Sequence, residues 1–208
     1  MTEVKTHCIT RQDIENACTY SEYREMIDSL LESGKTTGEN HSEAMLHYTK
    51  MNVHRMNRID KRNKLNPELT DALYSVNRQM IWLVITEAWC GDAAQSVPVI
   101  QKMGDESKNI QVRFILRDEN LEIMDQFLTN GRSRSIPKLV ALDARTLDVL
   151  GTWGPRPDEA QKLYDELRSD EEISFQILAE RLHKWYADDR TLSIQNEFLP
   201  LIEQWEIS

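Results

Sequence analysis

The sequence predicts a mixed α/β fold, a sheet of parallel and antiparallel strands flanked by helices, with helical extensions before and after it. Three observations carry this prediction. Met80-Ile81-Trp82-Leu83-Val84-Ile85-Thr86 is a β-rich apolar run of strand length, the mark of a strand buried on both faces. From there the segments read strand, helix, strand, helix, strand, strand. A β-α-β start implies parallel strands, and a closing pair with a short connection implies antiparallel ones. On both sides of this region the apolar residues follow helical spacing instead.

Taken in order, Thr10-Arg11-Gln12-Asp13 opens a helix, with the threonine capping a free backbone N–H and an acid in the first turn. Ile14, Ala17, Cys18, Met26, Ile27, Leu30 and Leu31 continue it, and Ser33-Gly34 ends it. A polar linker covers residues 34–40, and a second helix is expected over residues 42–61. Its Ala44, Met45, Tyr48, Met51, His54, Arg55 and Met56 form no clean stripe, which leaves its buried face undetermined. A third, shorter helix follows Asn66, with Pro67 where a first turn tolerates it. After the apolar strand come a helix over residues 93–103 and a strand over residues 110–116. A helix over residues 121–128 is ended by Asn130-Gly131, and strands follow over residues 138–142 and 147–151, joined through Asp143-Ala144-Arg145. Pro155-Arg156-Pro157 closes the region. Helical pattern resumes at Asp158, passes through Leu163, Tyr164, Leu167, Ile173, Phe175, Ile177 and Leu178, and finishes over residues 181–186 and 194–205. The chain thus divides into an N-terminal helical extension (1–78), an α/β core (79–157) and a C-terminal helical extension packed on the core (158–208).

Composition narrows the function. The 208 residues are 40% hydrophobic and 29% charged, as in a globular protein with a real core. Twenty-five lysines and arginines against 35 acids give a net charge of −10, which argues against a nucleic-acid backbone or an anionic membrane as the main partner. No segment reaches the ~18 to 20 apolar residues of a membrane span. The opening Met1-Thr2-Glu3-Val4-Lys5-Thr6-His7 lacks the pattern of a signal peptide, so a cytoplasmic protein is expected. Cys8, Cys18 and Cys90 are too few for a disulfide framework and suit a reducing compartment. His41, His47 and His54 do not share a helical face, so neither a metal site nor a cofactor is expected.

Cys90 stands directly after the buried strand and directly before a helix. Unpaired N–H groups and the positive end of the helix dipole stabilise a thiolate there. Trp89 supplies a flat apolar wall and Gly91 a tight turn. Asp92 pulls the other way, since its charge opposes the thiolate; the sequence alone does not rank the two effects.

Trp89-Cys90-Gly91, led into by the strand, resembles the reactive centre of the thioredoxin family. Pro98, eight residues beyond the cysteine, is similar to the proline that kinks the family's active-site helix. Ser135-Ile136-Pro137-Lys138-Leu139 resembles the family's Ile-Pro segment, with Pro137 lying 47 residues beyond Cys90. The resemblance covers about residues 79–155, and Trp-Cys-Gly-Asp with Arg117-Asp118-Glu119-Asn120 is similar to a bacterial thioredoxin-like group of poorly defined role. It implies a thioredoxin-like fold, a cis Pro137 facing Cys90, and thiol–disulfide exchange at Cys90. Trp89, Gly91, Asp92, Ile136 and Pro137 would contact the substrate. The cis proline would leave neighbouring backbone groups free to pair with an extended peptide.

Two departures limit the inheritance. The family's second cysteine falls at Ala93, and its buried acid, implicated in proton transfer from that second thiol, falls at Val84. Without a second thiol there is no such proton to move, so dithiol reductase activity is not expected. Two functions follow. One is a monothiol redox protein, in which Cys90 forms a mixed disulfide that an external thiol resolves, with a protein or a low-molecular-weight thiol or disulfide as partner. The other is a non-catalytic binding module, whose helical extensions build an interface or a homodimer. Cys8 and Cys18 are candidate resolving thiols, Arg132 and Arg134 a candidate carboxylate-binding loop, and Trp153 a candidate border of the same face.

Overall fold

The computed structural model describes residues 9–208, so Cys8 lies outside the described residues. Four strands form one sheet: β1 (Met80–Thr86), β2 (Ile110–Leu116), β3 (Lys138–Asp143) and β4 (Val149–Trp153). Their order is β2-β1-β3-β4. β1 runs parallel to β2 and antiparallel to β3, and β3 is antiparallel to β4. Every residue of β1 is buried, as its unbroken apolar run requires of a central strand.

Helices α1 (Arg11–Asn16), α2 (Tyr20–Glu32), α3 (Glu43–Arg62) and α4 (Pro67–Tyr74) precede the sheet. α5 (Gly91–Asp105) and α6 (Leu121–Met124) connect its strands, and α7 (Asp158–Ser169), α8 (Phe175–Asp189) and α9 (Leu192–Ile207) follow. Local chemistry fixes the starts. Thr10 and Thr19 each complete a capping box, Ser42 and Asn66 cap α3 and α4, and Pro67 occupies the first turn of α4.

Several expectations are corrected. The expected single N-terminal helix is two, because Cys18 takes up β-bridge geometry with Phe114. Its N–H donates to Phe114 O at 2.9 Å and its carbonyl accepts Phe114 N–H at 2.8 Å, after which Thr19 starts a new helix. The helix expected over residues 121–128 ends at Met124; the chain then turns through Asn130 and Gly131, at φ 53° and 66°, inside a Thr129–Ser133 bridge. β4 begins two residues later than expected. The Asp143 carboxylate accepts the N–H groups of Arg145 and Thr146 and folds Leu147 into the turn. The C-terminal run is three helices, with α7 and α8 separated by residues 170–174.

The two faces of the sheet carry different cores. Trp82, Val84, Phe114, Leu139 and Ala141 cluster with Val97 and Ile100 of α5 and with Phe198, Ile202 and Trp205 of α9. Tyr23 of α2, Met56 of α3 and Leu69 and Leu73 of α4 join them. The Trp82 ring lies 5.5 Å from Phe198 and 5.8 Å from Trp205, and burying aromatics of this size stabilises by roughly 2 to 3 kcal/mol each. Ile81, Leu83, Ile85, Val140 and Leu142 pack on the opposite face with Ile14 of α1 and Ile123 and Met124 of α6. The helices outside the strand region therefore share the sheet's core. Among the described residues no helix is long and apolar enough to cross a membrane.

Candidate functional site

Cys90 is the N-cap of α5, at the C-terminal end of β1. Ala93 N–H donates to its Sγ at 3.5 Å, and the thiol donates to the carbonyl of Ile136 at 3.2 Å. That carbonyl belongs to a cis Ile136–Pro137 peptide bond. Cys90 and Ile136, 46 residues apart, are thus in direct contact. Pro98 lies inside α5, and Ala93, which occupies the family's second-cysteine position, is buried.

Trp89, Cys90, Gly91 and Asp92 line one cavity of about 320 Å³. Its far wall comes from the C-terminal helices, with Tyr164 of α7 and Phe175, Leu178, Leu182 and His183 of α8. Met45, Tyr48, Asn52 and Arg55 of α3 supply the side. Helix α8 roofs the cysteine closely. A Cβ placed on Gly91 would stand 2.7 Å from His183 Cε1 and 2.8 Å from Nε2, so the absent side chain is what lets α8 settle there.

Asp92 anchors this roof. Arg156 donates to Oδ2 at 2.7 Å and the Tyr186 hydroxyl of α8 donates to Oδ1 at 2.7 Å. The Arg156 and Asp92 side chains are only 10% and 11% exposed, and the guanidinium stacks 4.1 Å from the Tyr164 ring centroid. Both carboxylate oxygens are thereby taken up by the protein. On the other side, Asn52 donates to Ala88 O at 2.8 Å and accepts from Arg55 at 2.8 Å, tying α3 to the segment before the cysteine. Arg117 sits 4.8 Å from the Trp89 ring centroid and pairs with Asp118.

The electrostatics settle the competition that the sequence left open. Cys90 is half-buried, and desolvation is the largest influence on its thiol. Together with the charge of Asp92 it pushes the thiol up to about 12, against the opposing pull of the Ala93 and Asp92 N–H groups and Arg156. This balance favours the neutral thiol over the thiolate. His183 is pulled down to about 4, first by burial and then by the charge of Arg55, so it is a neutral imidazole at pH 7.

The other sequence candidates lie elsewhere. Cys18 is a free thiol on the edge of β2, raised by burial. Arg134 is held in a two-pronged pair with Asp125, at 2.6 and 2.8 Å, and Arg132 is exposed. Trp153 is buried, donates to Glu197 at 2.7 Å, and does not line the Cys90 cavity. His41 accepts Thr36 N–H at 3.3 Å, while His47 and His54 are exposed. Among the described residues no three His, Cys, Asp or Glu side chains converge in a manner fit for a metal. Sequence reasoning missed Arg55, Arg156, His183 and Tyr186. Arg156 entered that reading only as part of the Pro155-Arg156-Pro157 terminator.

A β-α-β unit with an antiparallel closing pair, a cysteine capping the helix after the first strand, and an X–Pro carbonyl accepting its thiol together define a thioredoxin-type α/β protein. The sequence profile of the thioredoxin family matches residues 38–168, and the chain belongs to that family. Among solved structures, a protein of unknown function from Pseudomonas aeruginosa aligns with a TM-score of 0.53 at 19% identity, covering 89% of this chain and 98% of that one. An HIV epitope scaffold of the 4E10 series aligns with a TM-score of 0.52 at 18% identity and the same coverage. These likenesses concern the fold. No curated protein matches the chain.

Proposed function

We propose that this protein is a thioredoxin-fold binding module, in which Cys90 is a neutral wall of a small-molecule pocket rather than a cycling nucleophile. The observation that carries this reading is the roof over Cys90. Helices α7 and α8 turn the site's edge into a cavity of about 320 Å³, within the size range of small-ligand sites. The cavity is largely apolar, with Met45, Tyr48, Phe175, Leu178 and Leu182 in its walls and the half-buried Arg55 as its unpaired cation among the described residues. That combination suits a compact apolar molecule carrying one negative group. The thiol's hydrogen bond to Ile136 O and its upward displacement both support a protonated resting state.

A second reading, monothiol exchange, is favoured by the placement of Cys90 as an N-cap beside Pro137. In it the thiolate attacks a disulfide of an incoming molecule. The protein–sulfur bond forms as the disulfide breaks, the leaving thiolate takes the electron pair, and an external thiol later restores Cys90. Ala93 leaves this cycle without the second thiol of the family's motif.

The pH dependence of Cys90 alkylation in the folded protein separates the two. The binding reading expects a midpoint above the free-cysteine value of about 8.5 and no Cys90 adduct by intact mass after incubation with oxidised glutathione. A midpoint well below that value, together with a stoichiometric adduct, would overturn it in favour of exchange.

A further inference from the structure

We propose that a second pocket, where the C-terminal ends of α3 and α8 meet the start of α9, binds a phosphate group carried by a small molecule. This inference is independent of the Cys90 reading, because the two cavities share no lining residue. The pocket encloses about 410 Å³. Arg58, Arg62, Lys64 and Arg190 line it, and no acidic residue does. Among the described residues none of these four cations forms an ion pair. In a chain of net charge −10, four like charges gathered without a counter-charge run against the overall composition. Last-turn cations do complement a helix dipole, which accounts for Arg62. Lys64 lies beyond the end of α3, however, and Arg190 is the residue after α8.

The second observation concerns Asn63, which is only 9% exposed and lines the same pocket. Its amide orientation follows from a relay that begins at a backbone donor. Asn66 N–H donates at 2.7 Å to Gln195, which fixes Oε1 there and turns Nε2 toward Thr191. Gln195 Nε2 donates to Thr191 Oγ1 at 3.0 Å and to Lys64 O at 3.3 Å, and the Thr191 hydroxyl donates to Asn63 Oδ1 at 2.7 Å. Asn63 Nδ2 is then a pure donor, and it is buried with no acceptor in the protein. Four cations lining one pocket without a counter-charge call for an acceptor-rich anion. Phosphate meets this, with several oxygens that can take the guanidinium forks at once.

The backbone agrees. Arg190 and Thr191 are successive left-handed residues, at φ 53° and 67°, a conformation rare for any side chain and an outlier for a β-branched one. This reversal brings Arg190 and Thr191 together at the pocket, beside Asn63. Asp189, the residue before Arg190, accepts the N–H and hydroxyl of Ser193.

The test is calorimetric titration of the full chain with inorganic phosphate and, separately, with glycerol phosphate, against sodium chloride of matched ionic strength. Saturable binding is expected for phosphate species and not for chloride. Tighter binding of the ester than of the free ion would show that the phosphate is presented by a small molecule; equal binding would point to free phosphate at the same site. Arg58→Gln/Arg190→Gln alters two exposed side chains and is expected to weaken binding by about tenfold or more without changing the ligand-free Tm. Asn63→Asp keeps the Thr191 hydrogen bond but replaces the donor by a charge, and should abolish binding. No saturable binding of either species up to about 20 mM, or unchanged affinity in both variants, would overturn the proposal.

Discussion

Replacing Arg156 by leucine isolates the tie between the cysteine loop and its roof. In the native protein the Asp92 carboxylate is 11% exposed and has two side-chain partners, Arg156 and Tyr186, each at 2.7 Å. Leucine retains apolar bulk against Tyr164 but leaves a buried carboxylate with only the phenol. Removing one partner of a buried pair costs about 3 to 5 kcal/mol, because the remaining charge keeps its desolvation penalty without its counter-charge. The surviving Tyr186 hydrogen bond places this case at about 3 kcal/mol. For a chain of this size each kcal/mol lowers Tm by about 2 to 4 °C, so a fall of about 6 to 12 °C is expected by circular dichroism at pH 7. Adding Asp92→Asn removes the stranded charge and should recover much of the loss, since the two positions share one interaction. A fall of less than about 2 °C in the single variant, or no recovery in the double, would refute the view that this buried pair fastens α8 over Cys90.

Two further outcomes follow from the same roof. His183 is ordinarily half-protonated near pH 6.5 but is held down to about 4 in the folded protein, so the unfolded chain binds more protons between these values. Stability from this source is fully present above about 6.5 and is lost as pH falls toward 4; the loss, on the order of 3 kcal/mol at most, should disappear from the Tm–pH profile of His183→Gln. Gly91→Ala sets a Cβ within 2.8 Å of the His183 ring and forces α8 outward. Overpacking of this sort costs about 1 to 3 kcal/mol, and Cys90 alkylation should accelerate; unchanged reactivity would mean that the roof does not control access.

Features governed by near neighbours were legible in the sequence. The Met80–Thr86 run read as a central strand, the Thr10 cap and Pro67 marked helix starts, and Cys90 read as standing between that strand and a helix. What stayed hidden depended on distant partners. Asp92 looked like a substrate contact or an ordinary first-turn acid until Arg156 and Tyr186, 64 and 94 residues away, took its oxygens. The break at Cys18 has no local cause, since it is Phe114 that draws the chain into the sheet edge. Helix α3 showed no clean stripe because it serves two environments. Thr49, Asn52, Met56 and Ile59 are buried, while Arg55, Arg58 and Arg62 line cavities against α8 and its junction with α9. The upward displacement of Cys90 could not be ranked from sequence either, because desolvation depends on what covers the sulfur and the helix that does so lies in the C-terminal extension.

The contact of α9 with β1 has a consequence for how the protein is made. Trp82 sits on β1, the first of the four described strands to be synthesised, and Phe198 and Trp205 close over it from the helix that follows all four. During translation the sheet is chemically ready while part of one face is still uncovered, and at about 5 to 20 residues per second that interval lasts seconds. The nascent chain therefore passes through a stage at which its central strand presents an aromatic surface to the ribosome's surroundings. A holdase or a neighbouring nascent chain has its opportunity there, before α9 emerges and seals the core.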